Sequence, residues 1–370
     1  AYTTDLYFSF VAAHLISHLA ELCKHRFVAH VHGGSNAPAL WFLRQITSRV
    51  SAIYTVHDYN REPLISYPVQ SVVSFSQNLS IKRGSVQFCD RFNPRITQPR
   101  WLDGSGRLDA SHFAWCADMV TAVSDRMIEE LANVNENYAN LLSTLQERRR
   151  LVTIHNWLSS SFWKSAREAV SANNVLKDKS EAKHILFTKF RRFRLNQNQR
   201  DVAQHDCVVL WIGRFEVNKG VLLLPALSET ACAMSCTFII YGHWTHINSQ
   251  RLFERVQATT RKRLALKKDS CDVYVFKDRA SQKLSERVVR AASDITVVPS
   301  YNEAYGFVAA EALAYGSLPV VSSIGGLPEI VHPFNESLRT THDLWTGFTF
   351  PVYKDSPELT VTSVQSTLHL

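Results

Sequence analysis

The sequence predicts an α/β protein built from parallel sheets in two domains, and three observations carry that expectation. Nine short β-branched runs recur between helical stretches: FVAHVH at 27, SAIYTVH at 51, MVTAVS at 119, LVTIHN at 151, VVLWIGR at 208, CTFIIYG at 236, DVYVF at 272, DITVVPS at 294 and LPVVSS at 318. Unbroken apolar strands alternating with helices belong to parallel sheets covered on both faces. At 370 residues with 45% hydrophobic content, the chain exceeds one ordinary core, so two domains are expected. A charged, helical stretch from 165 to 200, including KFRRFR and no strand pattern, separates two sets of strands and places the boundary near residue 165.

The remaining features narrow what the chain does. With 41 basic and 33 acidic residues, the net charge of +8 suits an anionic partner. The basic runs KFRRFR at 189 and RKRLALKK at 261 lack the aromatic platforms of a nucleic-acid module and read as solvated helix faces, so no nucleic acid is expected. Seven scattered cysteines without a C-x-x-C pair suggest neither a disulfide framework nor a metal site, and point to a reducing, intracellular compartment. Cys232 and Cys236 read as small core hydrophobes on one helix face. The apolar opening LYFSFVAAHLISHLAEL is interrupted by His14, Ser17, His18 and Glu21, so it reads as a packed amphipathic helix rather than a membrane span. The polar stretch from 60 to 110, with Pro63, Pro68, Pro94 and Pro99, reads as an insertion or functional loop.

Three strand ends in the second half carry residues suited to a ligand. In an open parallel sheet, ligands sit beyond the carboxyl ends of the strands. VVLWIGR ends in Gly213 and Arg214, and Lys219-Gly220 follows, placing two cations where a diphosphate could be held. The alternative for Arg214 is a surface salt bridge with Glu216. DITVVPS leads to Glu303 and then to a helix from Gly306 to Gly316, whose first amides at Gly306, Phe307 and Val308 favour an anion. Inside that apolar helix, Glu311 needs partners: sugar or ribose hydroxyls, or a buried Arg or Lys. SSIGGLPEIV adds Gly325-Gly326, where backbone can approach a ligand closely.

The combination G-R-x4-K-G, PS-x2-E-x7-E and GGLPE resembles the donor domain of retaining GT-B glycosyltransferases. HVHGGSNAPALWFL, YTVHD, CADMVTAVS, NWLSSSFW and AASDITVVPS are similar, in order, to segments of glycogen and starch synthases. The resemblance runs from about residue 6 to about 350 and implies a GT-B fold: two Rossmann-like domains facing a cleft. It implies an acceptor-side domain over 1–165, lacking its first strands, and a nucleotide-sugar donor domain over 166–370 with shortened closing helices.

The implied activity is retaining glucosyl transfer from ADP-glucose or UDP-glucose to the non-reducing end of an α-glucan, with no cofactor or metal required. The alternatives are a retaining GT-B transferase with a lipid, small-sugar or protein acceptor, and a non-catalytic nucleotide-sugar- or glucan-binding chain. By resemblance, Arg214 and Lys219 hold the diphosphate and stabilise the leaving group, with Gly306, Phe307, Val308, Gly325, Gly326 and Leu327 beside them. Glu303 contacts the transferred sugar and Glu311 the ribose. His57 faces the sugar, His32 and Asn156 lie on the acceptor side, and His30 packs. The chain departs from the family at Gly33, where the synthases carry Asp, and at Ser159, which also replaces an Asp. The expected setting is cytoplasm or plastid stroma, in a longer multidomain protein without a membrane span in this chain.

Overall fold

The structure is a computed structural model that describes residues 2–47, 49–57, 66–68, 72, 107–134, 136–169, 175–189, 193–195, 207–244, 247–266, 272–276, 283–333 and 345–368. Most of the 60 to 110 stretch and residues 190–192 of KFRRFR therefore lie outside the described residues. The chain divides into two compact units, Ala1–Asn156 and Trp157–Leu370. The division falls before residue 165 because Phe162 and Ala166 pack into the second unit, with Leu210, Val289 and Tyr315.

The first unit runs α1 (Tyr2–Cys23), β1 (Phe27–His32), α2 (Pro38–Ile46), β2 (Val50–Val56), β3 (Ser66–Pro68), β4 (Arg107–Asp109), α3 (Ala110–Ala114), β5 (Met119–Ala122), α4 (Asp125–Ala132), α5 (Glu136–Glu147) and β6 (Leu151–Thr153). Four strands form a parallel sheet in the order β1-β2-β5-β6, and β3 pairs with β4 antiparallel. Tyr54 in β2 lies opposite Val31 and Val120, and its side chain is fully enclosed. β1 is an edge strand: Ala29 and Val31 turn inward, while Val28, His30 and His32 are exposed. That alternation is the signature of a strand covered on one face only.

α1 packs differently from the expectation. It buries a narrow face of Leu6, Ser9, Ala13, Ser17 and Ala20, and leaves Phe8, Val11, Leu15, Leu19 and Leu22 exposed. Polar groups that interrupt its sequence are satisfied locally: Ser17 Oγ donates to Ala13 O at 2.7 Å, and His14 Nδ1 lies 3.2 Å from Phe10 O. By length and composition alone, the segment Thr4–Cys23 reaches the span of a membrane-crossing helix, a test that core helices of soluble proteins also meet.

The second unit continues with α6 (Ser160–Ala169), α7 (Val175–Lys189), β7 (Cys207–Arg214), α8 (Leu224–Ala233), β8 (Cys236–His243), α9 (Ile247–Leu266), β9 (Val273–Phe276), α10 (Lys283–Ala292), β10 (Ile295–Val298), α11 (Phe307–Ala314), β11 (Leu318–Ser322), α12 (Leu327–Ile330), β12 (Phe348–Phe350) and α13 (Pro357–Leu368). Its six strands are all parallel, in the order β12-β11-β10-β7-β8-β9. Val209 and Trp211 of β7 join one buried cluster with Phe215, Phe238 and Phe253, whereas Val208, Leu210 and Ile212 join another with Ile239, Tyr241 and Phe276. Both faces of the sheet are thus covered, which is why these strands read as continuous apolar runs. In α9, Arg261, Lys262 and Arg263 are exposed, and Arg263 pairs with Glu229 at 3.4 Å, so this basic run is a solvated face.

The cysteines overturn the expectation of free thiols. Cys207 and Cys236 are register partners on adjacent strands, 4.7 Å apart at Cα, and are disulfide-bonded. Cys116 and Cys232 are each in a disulfide too, whereas Cys23 is free and exposed. Cys232 ends on α8 and Cys236 opens β8, so the two do not share a helix face. A separation of 29 residues hides a pairing that parallel strand register creates. The inference of a reducing compartment loses its basis with this finding.

Candidate active site

The sheet order of the second unit locates its site. Numbered from β7, the strands run 3-2-1-4-5-6, so the order reverses between β7 and β10. The carboxyl ends of strands at such a reversal diverge and leave a crevice for ligands. β7 delivers Arg214 and Lys219 to this crevice, and β10 delivers Ser300 and Glu303.

Backbone contacts fix the two loops to each other. Tyr301 N donates to Asn218 O at 2.8 Å, and the Trp211 indole donates to Lys219 O at 3.3 Å. Gly220 has φ 69°, and a Cβ there would come within 2.1 Å of Pro299 O, so only glycine lets the loops meet. Gly325 has φ 52° and would place a Cβ 1.7 Å from Glu303 O, while Gly326 N donates to that same oxygen at 3.1 Å. The Gly-Gly pair thereby seats the Glu303 loop. Leu327 is fully buried in a cluster with Val298, Ala309 and Val321, so its side chain is core.

The charged groups are paired within the site. Lys219 Nζ is 2.6 Å from Glu303 Oε2, and Ser300 Oγ donates to the same carboxylate oxygen at 3.3 Å. Arg214 Nη1 is 3.0 Å from Glu216 Oε1, which realises the salt-bridge alternative considered from spacing. α11 starts at Gly306, held at φ 109°, with Phe307 exposed and Val308 half-buried in its first turn. A helix start projects backbone N–H groups and the positive end of the dipole, and this one follows directly on the Glu303 loop. Gly316 follows the helix at φ 67°, the left-handed stop expected from sequence.

Glu311 lies one turn into α11, and the Arg/Lys alternative is again realised. Its Oε2 is 2.8 Å from Arg290 Nη2, and Arg290 also bonds Glu286 at 3.0 Å. Burial raises the Glu311 pKa above the usual glutamate value; Arg290 opposes the rise and Glu286 adds to it. The Arg290 guanidinium lies 5.9 Å from the centroid of the Phe162 ring. Sequence reasoning missed Ser300 and Arg290, and their only signal was position: a strand end and the last turn of an amphipathic helix.

In the first unit, the histidines gather at the carboxyl ends of β1 and β2. His32 Nδ1 is 2.7 Å from His57 Nε2, and the His30 and His32 rings lie 4.0 Å apart. His30 Nε2 is anchored 2.6 Å from Thr55 Oγ1, which in turn meets Thr121 Oγ1 at 2.6 Å. Burial, then the neighbouring histidines, lower the His57 pKa, so the ring is kept neutral at physiological pH. Gly33 adopts φ 74°, ψ 156°, a region essentially reserved for glycine. The missing carboxylate is therefore matched by a backbone that disfavours any side chain. Asn156 closes the unit and is half-buried. Ser159 Oγ accepts from Phe162 N at 3.1 Å and caps α6, a service Asp renders equally well.

This arrangement matches known proteins. Residues 193–365 match the family described as glycosyl transferases group 1. The chain is 26% identical over 243 residues to a glycogen synthase of Aliivibrio fischeri (strain ATCC 700601 / ES114), covering 64% of this chain and 45% of that protein. It is 25% identical over 221 residues to a glycogen synthase of Chlamydia caviae, covering 59% and 44%. The chain thus spans somewhat less than half the length of these relatives. Among solved structures, the catalytic domain of Starch Synthase IV from Arabidopsis thaliana, bound to ADP and acarbose, is similar with a TM-score of 0.67 at 20% identity, covering all of this chain and 73% of that one. An α,α-trehalose-phosphate synthase (UDP-forming) from Burkholderia vietnamiensis gives 0.59 at 12% identity, covering 100% and 72%. The fold is that of GT-B glycosyltransferases, and the second unit carries the match to the glycosyl transferases group 1 family. Within that class the chain is similar to glycogen synthases in sequence and to a starch synthase in fold.

Proposed function

We propose that the protein transfers glucose, with retention, from ADP-glucose or UDP-glucose to the non-reducing end of an α-glucan. The observation that carries this reading is the 2.6 Å contact of Lys219 with Glu303, made by the loops that follow β7 and β10 where the strand order reverses, just ahead of the α11 start. Lys219 and Arg214 meet the charge of the donor diphosphate, and the first amides of α11 add fixed dipoles at the departing phosphate. Glu303 supports the positive charge that develops at the sugar carbon, as carboxylates do in glycoside hydrolysis. In this reading side chains and amides carry the leaving-group charge, and transfer proceeds in the presence of a chelator.

His57 and His32 are assigned to the sugar and acceptor, with Asn156 beside them. Glu311 is assigned to the donor ribose through the oxygen that Arg290 leaves available. The relatives are bacterial glycogen synthases, and by that likeness we place the protein within the cell. The test is incorporation of radiolabelled glucose from each nucleotide sugar into glycogen, in a chelating buffer, beside a Glu303→Ala variant. Incorporation from one donor that vanishes in the variant supports the reading. Nucleotide binding without incorporation from either donor overturns it in favour of another acceptor.

A further inference from the structure

The side-chain charges of the crevice cancel before any ligand arrives. Arg214 and Lys219 supply two positive charges, and Glu216 and Glu303 supply two negative ones. The pairs are not equivalent. Arg214 is 36% exposed, whereas Lys219 and Glu303 are 20% and 17% exposed, so their contact is the more enclosed. Both loop backbones are tied down, by Tyr301 N to Asn218 O and by Gly326 N to Glu303 O. Separating Lys219 from Glu303 therefore requires side-chain rotation alone.

We propose that the Lys219–Glu303 pair is an internal latch, in which Glu303 fills the place of a phosphate oxygen on Lys219 until a diphosphate displaces it. This rests on the reading of the crevice as a nucleotide-sugar site. Displacement does two things at once: Lys219 gains the phosphate, and Glu303 Oε2 is released toward the sugar. The charged carboxylate thus becomes available only when the donor diphosphate is seated. Ser300 Oγ, which donates to the same oxygen at 3.3 Å, holds the latch closed from the other side.

A latch of this kind lowers apparent affinity by the fraction of time it is closed. Closure for about nine-tenths of the time weakens binding roughly tenfold. Removing the carboxylate charge accordingly tightens diphosphate binding, although Glu303 is the residue assigned to the sugar. A side chain that only touched the sugar would leave the affinity for a sugar-free diphosphate unchanged.

The experiment is calorimetric titration of the whole protein with ADP, UDP and inorganic pyrophosphate, comparing wild type, Glu303→Gln, Glu303→Ala and Lys219→Ala. The expected result is affinity raised roughly tenfold in both Glu303 variants and lost in Lys219→Ala. One Glu303 variant that retains the wild-type melting curve suffices. If wild type binds but neither Glu303 variant binds more tightly, the latch is wrong and the donor-site reading stands. If no form binds any of the three probes, the donor-site reading falls and the latch with it.

Discussion

Arg290 Nη2 and Glu311 Oε2 are 2.8 Å apart, joining the last turn of α10 to α11 beneath the candidate donor crevice. The guanidinium is 8% exposed and the carboxylate 18%, so removing either partner strands an ion in a largely dry environment. Arg290→Met should destabilise the protein by about 3 kcal/mol. Urea denaturation measures this, and a change below about 1 kcal/mol would reduce the pair to the weight of a surface salt bridge.

The same pair predicts a pH dependence. Burial raises the Glu311 pKa from its reference value of 4.5, so between that value and the raised one the native chain retains a proton the unfolded chain has released. Its contribution to stability is therefore largest on the acidic side and declines as pH rises through that window. Comparing urea midpoints across weakly acidic pH should show this decline in wild type and not in Glu311→Gln. An unchanged slope in the variant would assign the dependence to another group.

Lys219 is expected to matter to the chemical step as well as to its ion pair with Glu303. Lys219→Ala removes a charge placed for the leaving group and should lower kcat/KM about 10²- to 10³-fold, beyond the stability lost by leaving Glu303 without its cation. Steady-state kinetics on the preferred donor decides this. A fall confined to KM would make Lys219 an ordinary binding contact.

Two glycines with similar backbone angles separate strain from collision. Gly316 at φ 67° has open space around a built Cβ, so Gly316→Ala should cost about 1 kcal/mol of strain alone. Gly325→Ala would drive its Cβ into Glu303 O, and should lower transfer activity as well as stability by shifting the carboxylate loop. Equal effects of the two substitutions on activity would show that the loop tolerates displacement.

The Cys207–Cys236 bridge closes a 29-residue span, for which loop-closure entropy gives about 2–4 kcal/mol. Alkylation of the denatured, unreduced protein followed by peptide mass spectrometry should recover residues 207 and 236 in one cross-linked peptide. Recovery of both as alkylated thiols would contradict the bridge.

The fold was legible where period and composition agreed. All nine β-branched runs became parallel strands, and the apolar helix after Glu303 ends with Gly316 in the left-handed conformation foreseen for it. β12 escaped notice because Phe348–Phe350 is only three residues long and gains its identity by pairing with β11. α1 misled because most of its larger apolar side chains are exposed while mainly small residues are buried, an inversion composition does not reveal.

The site was legible as residue types and illegible as pairings. Arg214, Lys219, Glu303 and Glu311 stood out by position, and each has an ion-pair partner: Glu216, Glu303, Lys219 and Arg290 respectively. Only the Arg214–Glu216 pairing was open to sequence reasoning, being two residues apart. Lys219 and Glu303 are separated by 84 residues and meet because strand order reverses between β7 and β10.

The central claim is α-retaining glucosyl transfer at the β7–β10 crevice, and the product's linkage tests it most directly. A short maltooligosaccharide incubated with the preferred nucleotide sugar and followed by proton NMR should gain α-1,4-linked glucose in wild type and none in Lys219→Ala. A β-linked product, or equal elongation by the Lys219 variant, would contradict the account.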